Sequence, residues 1–178
     1  VRISDTITNR GDDSQEFQIL YHANYGPPLL EEGAQFVGPV KKVIPFNDHA
    51  SESIDSYSIY KRPTAGFTEQ VYCMTPLADY DGRTTIGLVN RSKNKGISMK
   101  FSIQQLPFIT LWKNTNSEGE GYVTGLEPGT NFPNNRRIER KFGRVPKLDS
   151  GQSHHAEIDF TILKGNKAVG GLIDQIQK

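Results

Sequence analysis

Apolar and polar residues alternate over much of the chain. The clearest case is residues 97–103, where Ile97, Met99, Phe101 and Ile103 alternate with Ser98, Lys100 and Ser102. A period of two buries one face of a strand and wets the other. Residues 156–163 repeat the pattern, with Ile158, Phe160 and Ile162 between Glu157, Asp159 and Thr161. So do Phe17, Ile19 and Tyr21, after the turn-forming run Asn9-Arg10-Gly11-Asp12-Asp13. Further strands are predicted within residues 40–44, 66–75, 84–89, 108–112 and 121–126. Asp81-Gly82 sits between two of these and predicts a tight hairpin turn. Helical signals are few. Asn47-Asp48 is placed to cap a short turn into residues 50–54, with Pro45 shortly before. The tail from residue 168 to 177 predicts a frayed helix, weakened by Gly170-Gly171, and residues 165–178 read as a frayed end. With crossover helices missing, the pattern predicts an all-β fold, an antiparallel β-sandwich of one domain over residues 1–178.

Composition narrows the function classes. The chain has 178 residues, 35% hydrophobic and 23% charged, which suits a globular domain rather than a disordered one. Its 17 glycines and 10 prolines are spread along the chain and punctuate it, as expected of short strands joined by turns. Lys and Arg number 21 against 20 Asp and Glu, a net charge of +1. That balance argues against a protein built to grip a phosphate backbone, so no nucleic-acid partner is expected. No apolar run is long enough to cross a bilayer, and no membrane partner is expected. The first residues, Val1-Arg2-Ile3-Ser4-Asp5, have no apolar core of a signal peptide, which leads to the expectation of a cytoplasmic protein. The start without Met suggests processing or a piece of a longer chain. Cys73 is the single cysteine, so neither an internal disulfide nor a multi-cysteine metal site can be built.

Four segments place reactive side chains among glycines, prolines and aromatics. In Leu20-Tyr21-His22-Ala23-Asn24-Tyr25-Gly26-Pro27, His22 lies where a strand runs into a turn. It can move a proton near neutral pH, or simply bond a nearby carbonyl. In Gly66-Phe67-Thr68-Glu69-Gln70-Val71-Tyr72, Glu69 interrupts a β-forming run and lies either on a wet face or in a cleft. In Gly125-Leu126-Glu127-Pro128-Gly129-Thr130-Asn131-Phe132-Pro133-Asn134-Asn135-Arg136, Glu127 follows a short strand, and Asn131 and Arg136 follow in one irregular loop. Loops on a rigid sheet are where binding groups collect; the competing reading pairs Glu127 with Arg136 or Arg137 on the surface. Trp112 offers a flat apolar face to a sugar ring, or fills the core. His49 reads as a solvated loop residue. His154 and His155 point to opposite faces of a strand and cannot chelate together. Without HxH or HExxH, and without GxSxG or a phosphate-binding glycine loop, no metal site and no nucleotide chemistry is expected.

Taken in order, these segments resemble the galactose mutarotase (aldose 1-epimerase) superfamily, in particular its bacterial epimerase-like branch. Tyr21-His22-Ala23-Asn24-Tyr25-Gly26 is similar to the family's NHxYFN segment, Gly66-Phe67-Thr68-Glu69-Gln70-Val71 to GYDHNF, and Leu126-Glu127-Pro128-Gly129-Thr130-Asn131-Phe132-Pro133 to LETQxFPDxxN. The likeness runs from near Asp5 to Phe160. It implies a large antiparallel sandwich of which this chain is a carboxy-terminal portion. The family's missing amino-terminal part supplies a further histidine and an arginine that have no counterpart here. Glu69 stands in place of an aspartate, and Pro128 in place of a threonine.

The resemblance implies His22 as general acid and Glu127 as general base. It implies Glu69, Asn24, Trp112, Asn131 and Arg136 as sugar-binding residues. The implied reaction opens and recloses a sugar ring to exchange anomers, which needs no cofactor. The expected partner is a small-molecule sugar, with a homo-oligomer left open. Two other readings stand beside the isomerase: a carbohydrate-binding protein without turnover, and an incomplete fragment of a mutarotase-like enzyme.

Overall fold

The computed structural model describes residues 1–176. Twelve strands and three helices follow one another: β1 (Arg2–Thr8), β2 (Gln15–Glu16), β3 (Ala23–Tyr25), β4 (Gln35–Val37), β5 (Val40–Pro45), α1 (Asp48–Ser51), β6 (Gln70–Pro76), β7 (Arg83–Val89), β8 (Lys95–Ser102), β9 (Phe108–Thr115), β10 (Tyr122–Gly129), α2 (Arg136–Lys141), β11 (Lys147–Leu148), β12 (Ser153–Lys164) and α3 (Asn166–Ile176). Ten of the strands form two five-stranded sheets, ordered β1-β12-β8-β7-β4 and β3-β10-β9-β6-β5, and β11 pairs with β2. The pairings between these strands are antiparallel. The two large sheets share one core. Ile86, Leu88, Met99, Phe101 and Ile158 from the first meet Tyr72, Met74, Ile109, Leu111 and Leu126 from the second. The architecture is therefore the expected antiparallel sandwich, and alternation along β8 and β12 points apolar side chains into it. Ile162 departs from that pattern and is 72% exposed.

Four local expectations need correction. The turn at Asp81-Gly82 exists, with Gly82 N–H donating to Asp79 O, but β6 and β7 lie in different sheets. It is a sheet-to-sheet corner, not a hairpin. Residues 17–21 do not form a regular strand. Tyr21 N–H donates to Pro128 O, and the proline has no N–H to return, so the ladder stops there. The segment after β10 is not one irregular loop. Asn135 accepts from Arg137 N–H and caps α2, which begins at Arg136. Finally, the tail is a docked helix as far as Ile176; residues 177 and 178, the end of the predicted frayed tail, lie outside the described residues. Val169 and Leu172 of α3 are buried together with Val89. Gly87 makes this contact possible, because a Cβ there would stand 2.5 Å from Ile97 O and 3.0 Å from Leu172 Cδ2. Gly170 and Gly171 face open space, so they cost helix propensity of about 1 kcal/mol each, which burial of the opposite face offsets.

Asn47 caps α1 as expected, accepting from Ala50 N–H. No helix among the described residues is long and apolar enough to cross a membrane.

Candidate functional site

The outer face of the second sheet carries the site. Antiparallel register sets it out as two rows running across the strands. Glu127 of β10 is opposite Thr110 of β9, Thr110 is opposite Cys73 of β6, and Cys73 is opposite Ile44 of β5. In the neighbouring row Asn24 of β3 is opposite Gly125, Gly125 is opposite Trp112, and Trp112 is opposite Val71. Ala23 pairs with Leu126 and Leu20 bridges Gly129, so the same register puts His22 opposite Glu127. Side chains two apart share a face of a strand. Glu127, Thr110, Trp112 and Val71 therefore point together, while Leu126, Leu111 and Tyr72 point into the core. Tyr21 points away from His22, and its hydroxyl donates to Asp5 at 2.8 Å.

A cleft of about 410 Å³ opens on this face. Leu20, His22, Phe46, Glu69, Val71, Thr110, Trp112, Glu127 and Pro133 line it. A single small ligand fits such a volume. His22 Nε2 lies 2.9 Å from Glu127 Oε1, with the His22 side chain 49% exposed and that of Glu127 only 4%. The contact is short but lacks hydrogen-bond alignment, and Oε1 has no hydrogen-bond partner among the described residues. Burial therefore pushes the Glu127 carboxyl up to about 7; the facing His22 opposes that rise and Glu69 adds to it. Gly125 makes room for the carboxylate, since a Cβ at 125 would collide with Glu127 Oε1. The Trp112 indole N–H donates to Glu69 Oε2 at 2.7 Å, and the ring meets His22 edge-on with centroids 5.5 Å apart.

Two loops frame the cleft. On one side, Asn47 Nδ2 donates to Glu69 O at 3.0 Å, and His49 Nδ1 lies 2.9 Å from Thr68 Oγ1. His49 is thus tied into the rim rather than free in a solvated loop. On the other side, the segment from Phe132 to Arg144 is built around Glu139, which is fully buried. Its carboxylate accepts from Phe132 N, Asn134 Nδ2, and Arg144 Nε and a terminal guanidinium nitrogen, the last three at 2.7 Å. Burial works against its charge, but the hydrogen bonds from Arg144, Asn134 and Phe132 N–H outweigh it and hold the carboxyl below its usual range. Arg144 also lies over the rings of Phe132 and Phe142. This buttress carries Pro133 to the cleft wall.

A family model described as a domain of unknown function, DUF4432, matches residues 1–162. The chain belongs to this family. Among solved structures, a proposed aldose 1-epimerase from Klebsiella pneumoniae subsp. pneumoniae matches with 40% identity and a TM-score of 0.96, over 99% of this chain and 47% of that one. A galactose mutarotase-like protein from Clostridium acetobutylicum matches with 13% identity and a TM-score of 0.63, over 92% of this chain and 52% of its own. A galactose mutarotase-like protein from Lactobacillus casei matches with 12% identity and a TM-score of 0.55, over 90% of this chain and 58% of its own. The fold of this DUF4432 chain is therefore the mutarotase-like β-sandwich, and the chain spans about half the length of these solved proteins. A comparison with curated proteins finds no match.

The structure brings together His22, Glu127, Glu69 and Trp112 of the residues singled out from the sequence. Asn24 shares their sheet face at the edge, beside Gly125, but does not line the cleft. Asn131 and Arg136 are not brought to it. Asn131 is buried, accepts from Thr130 Oγ1 and donates to Phe132 O, so its amide is spent holding the turn. Arg136 opens α2, and its Nε donates to Gln18 Oε1 at the surface. The surface pairing of Glu127 with Arg136 or Arg137 does not form either. Sequence reasoning passed over Thr110, Val71 and Phe46, which look like ordinary strand residues, and Gly125, whose position two before Glu127 was the available signal. Among the described residues, no group of three or more His, Cys, Asp or Glu side chains is placed to hold a metal ion.

Proposed function

We propose that this cleft binds a neutral sugar ring and exchanges its anomers, as an aldose 1-epimerase-like isomerase. The observation that carries the reading is the buried, unbonded Glu127 carboxylate meeting the half-exposed His22 at 2.9 Å beside Trp112. Ring opening needs an acid and a base on opposite sides of one group. Here they touch, so the anomeric carbon's two oxygens must enter between them. Glu127 is held by its strand and His22 is the exposed partner, so the imidazole is the side that yields. Glu127 takes the proton of the anomeric hydroxyl while His22 gives one to the ring oxygen. The C1–O5 bond breaks as the carbonyl forms, the aldehyde end rotates, and the ring recloses with both protons returned. Positioned acid and base groups of this kind each contribute about a hundred- to ten-thousand-fold. Trp112, fixed by Glu69, supplies an apolar platform for the C–H face of the ring. No Lys or Arg lines the cleft among the described residues, and its charged groups are carboxylates and an imidazole, which favours an uncharged ring over a phosphorylated one.

The test is Glu127→Gln, assayed by NMR exchange or polarimetry on a panel of aldoses. Anomer exchange is expected to fall at least about a hundredfold, toward the spontaneous rate, with sugar binding largely kept. Undiminished exchange in that variant removes Glu127 from the mechanism.

A second reading, a sugar-binding protein without turnover, draws on two observations. The chain spans about half the length of the solved proteins it matches, and Asn131 and Arg136 stand away from the cleft. Binding accompanied only by spontaneous exchange would decide for it.

A further inference from the structure

On the floor of the cleft, Thr110 is 2% exposed, and its Oγ1 has no hydrogen-bond partner. It stands directly opposite Glu127 in the ladder, and Glu127 Oε1 lacks a partner too. Other buried hydroxyls are unpartnered, but Thr110 is the one on the wall that holds Glu127. A buried hydroxyl without a partner costs stability. Valine would give the same β-branched shape at this strand position without that cost. One buried donor-acceptor and one buried acceptor, opposite each other on the cleft wall and without partners of their own, are complementary to two neighbouring hydroxyls of a ligand.

We infer that Thr110 is a ligand-binding residue, whose Oγ1 holds the hydroxyl adjacent to the one that Glu127 engages. The inference rests on the reading of the cleft as a sugar site and adds a contact to it. A vicinal diol gives both orphan atoms partners at once: one hydroxyl donates to the carboxylate, and the next exchanges a hydrogen bond with the threonine. Thr110 makes no proton transfer; it sets the register of the ring over the base.

Trp112 is the chain's single tryptophan and part of the same wall, so its fluorescence reports occupancy directly. The experiment titrates the whole chain and the variants Thr110→Val and Thr110→Ser with D-galactose, D-glucose and D-mannose, and follows thermal unfolding of each. Thr110→Val is expected to raise the dissociation constant about tenfold, equivalent to about 1.4 kcal/mol, with a Tm no lower than the wild type. Thr110→Ser keeps the hydroxyl and is expected to bind within about twofold. Thr110→Val binding as well as the wild type overturns the assignment. So does a fall in Tm that accompanies the loss of binding, since that assigns the residue to packing. Wild-type fluorescence unmoved by all three sugars also overturns it. Wild-type binding without catalysed anomer exchange sinks the isomerase reading alone and leaves the Thr110 contact standing.

Discussion

Glu127→Gln should stabilise the protein above neutral pH, and by an amount the site itself sets. The Glu127 carboxyl rises from an ordinary 4.5 to about 7, first through burial, with Glu69 adding to the rise and His22 working against it. Between these two values the folded state holds a proton that the unfolded chain has already released. The unfolded state then binds fewer protons than the folded one, so stability falls as pH rises through this window. Below about pH 4.5 the penalty is absent, and above about pH 7 it is complete. At about 1.4 kcal/mol per pH unit the full penalty is roughly 3 kcal/mol, taken as the upper limit. Glutamine has nearly the same shape and never ionises, so the variant escapes the penalty. Urea denaturation of both proteins at pH 5, 7 and 9 measures it. The variant's advantage should be small at pH 5 and grow to between about 1 and 3 kcal/mol at pH 9, with unchanged m-values. An advantage that stays constant across the range, or a variant less stable at pH 9, would refute the claim that burial penalises the ionised Glu127 more than His22 compensates it.

Two further substitutions test the frame around the site. Gly125→Ala places a methyl group against the Glu127 carboxylate, and should cost about 1–3 kcal/mol in urea denaturation while reducing anomer exchange more than sugar binding. An alanine variant with wild-type exchange would show that the carboxylate has room to spare. Glu139→Ala strips Arg144 of its bidentate partner inside the buttress, and should cost about 3 kcal/mol or more and broaden the NMR signals of Phe132 and Phe142. A loss under about 1 kcal/mol would mean that this segment is held by its aromatic contacts instead.

The fold was legible because strand alternation is written locally. Met99, Phe101 and Ile158 are core residues in the structure, and their spacing alone marks them. What one sequence does not carry is partnership between strands. The Asp81-Gly82 turn is correct as a turn and wrong as a hairpin, because its chemistry is local while the choice of sheet depends on β8 and β9, farther along the chain. The helix α3 shows the same limit in the other direction. Gly170 and Gly171 lower its propensity, and the groove over Gly87 that anchors it is remote in sequence. β1 gives no alternation to read, because six of its seven residues are exposed.

The same division runs through the site. His22 and Glu127 were legible as reactive groups beside turn residues. Thr110 was not, because only the register to Glu127 distinguishes it from any other strand threonine. Asn131 and Arg136 misled for a physical reason: groups that cap helices and brace turns are the same groups that bind ligands. Burial and bonding separate the two uses. The chain buries two glutamates on this side of the molecule, and their surroundings are opposite. Glu139 accepts four hydrogen bonds, pairs with Arg144, and is held ionised below the usual range. Glu127 accepts none within the described residues, faces a half-exposed histidine, and is pushed up to about 7. A structural carboxylate is satisfied by its own chain. One left unsatisfied beside a cleft is a cost to folding, and a ligand that supplies the missing hydrogen bonds would offset it. That contrast, more than the likeness of any motif, is why we propose Glu127 as the reactive group.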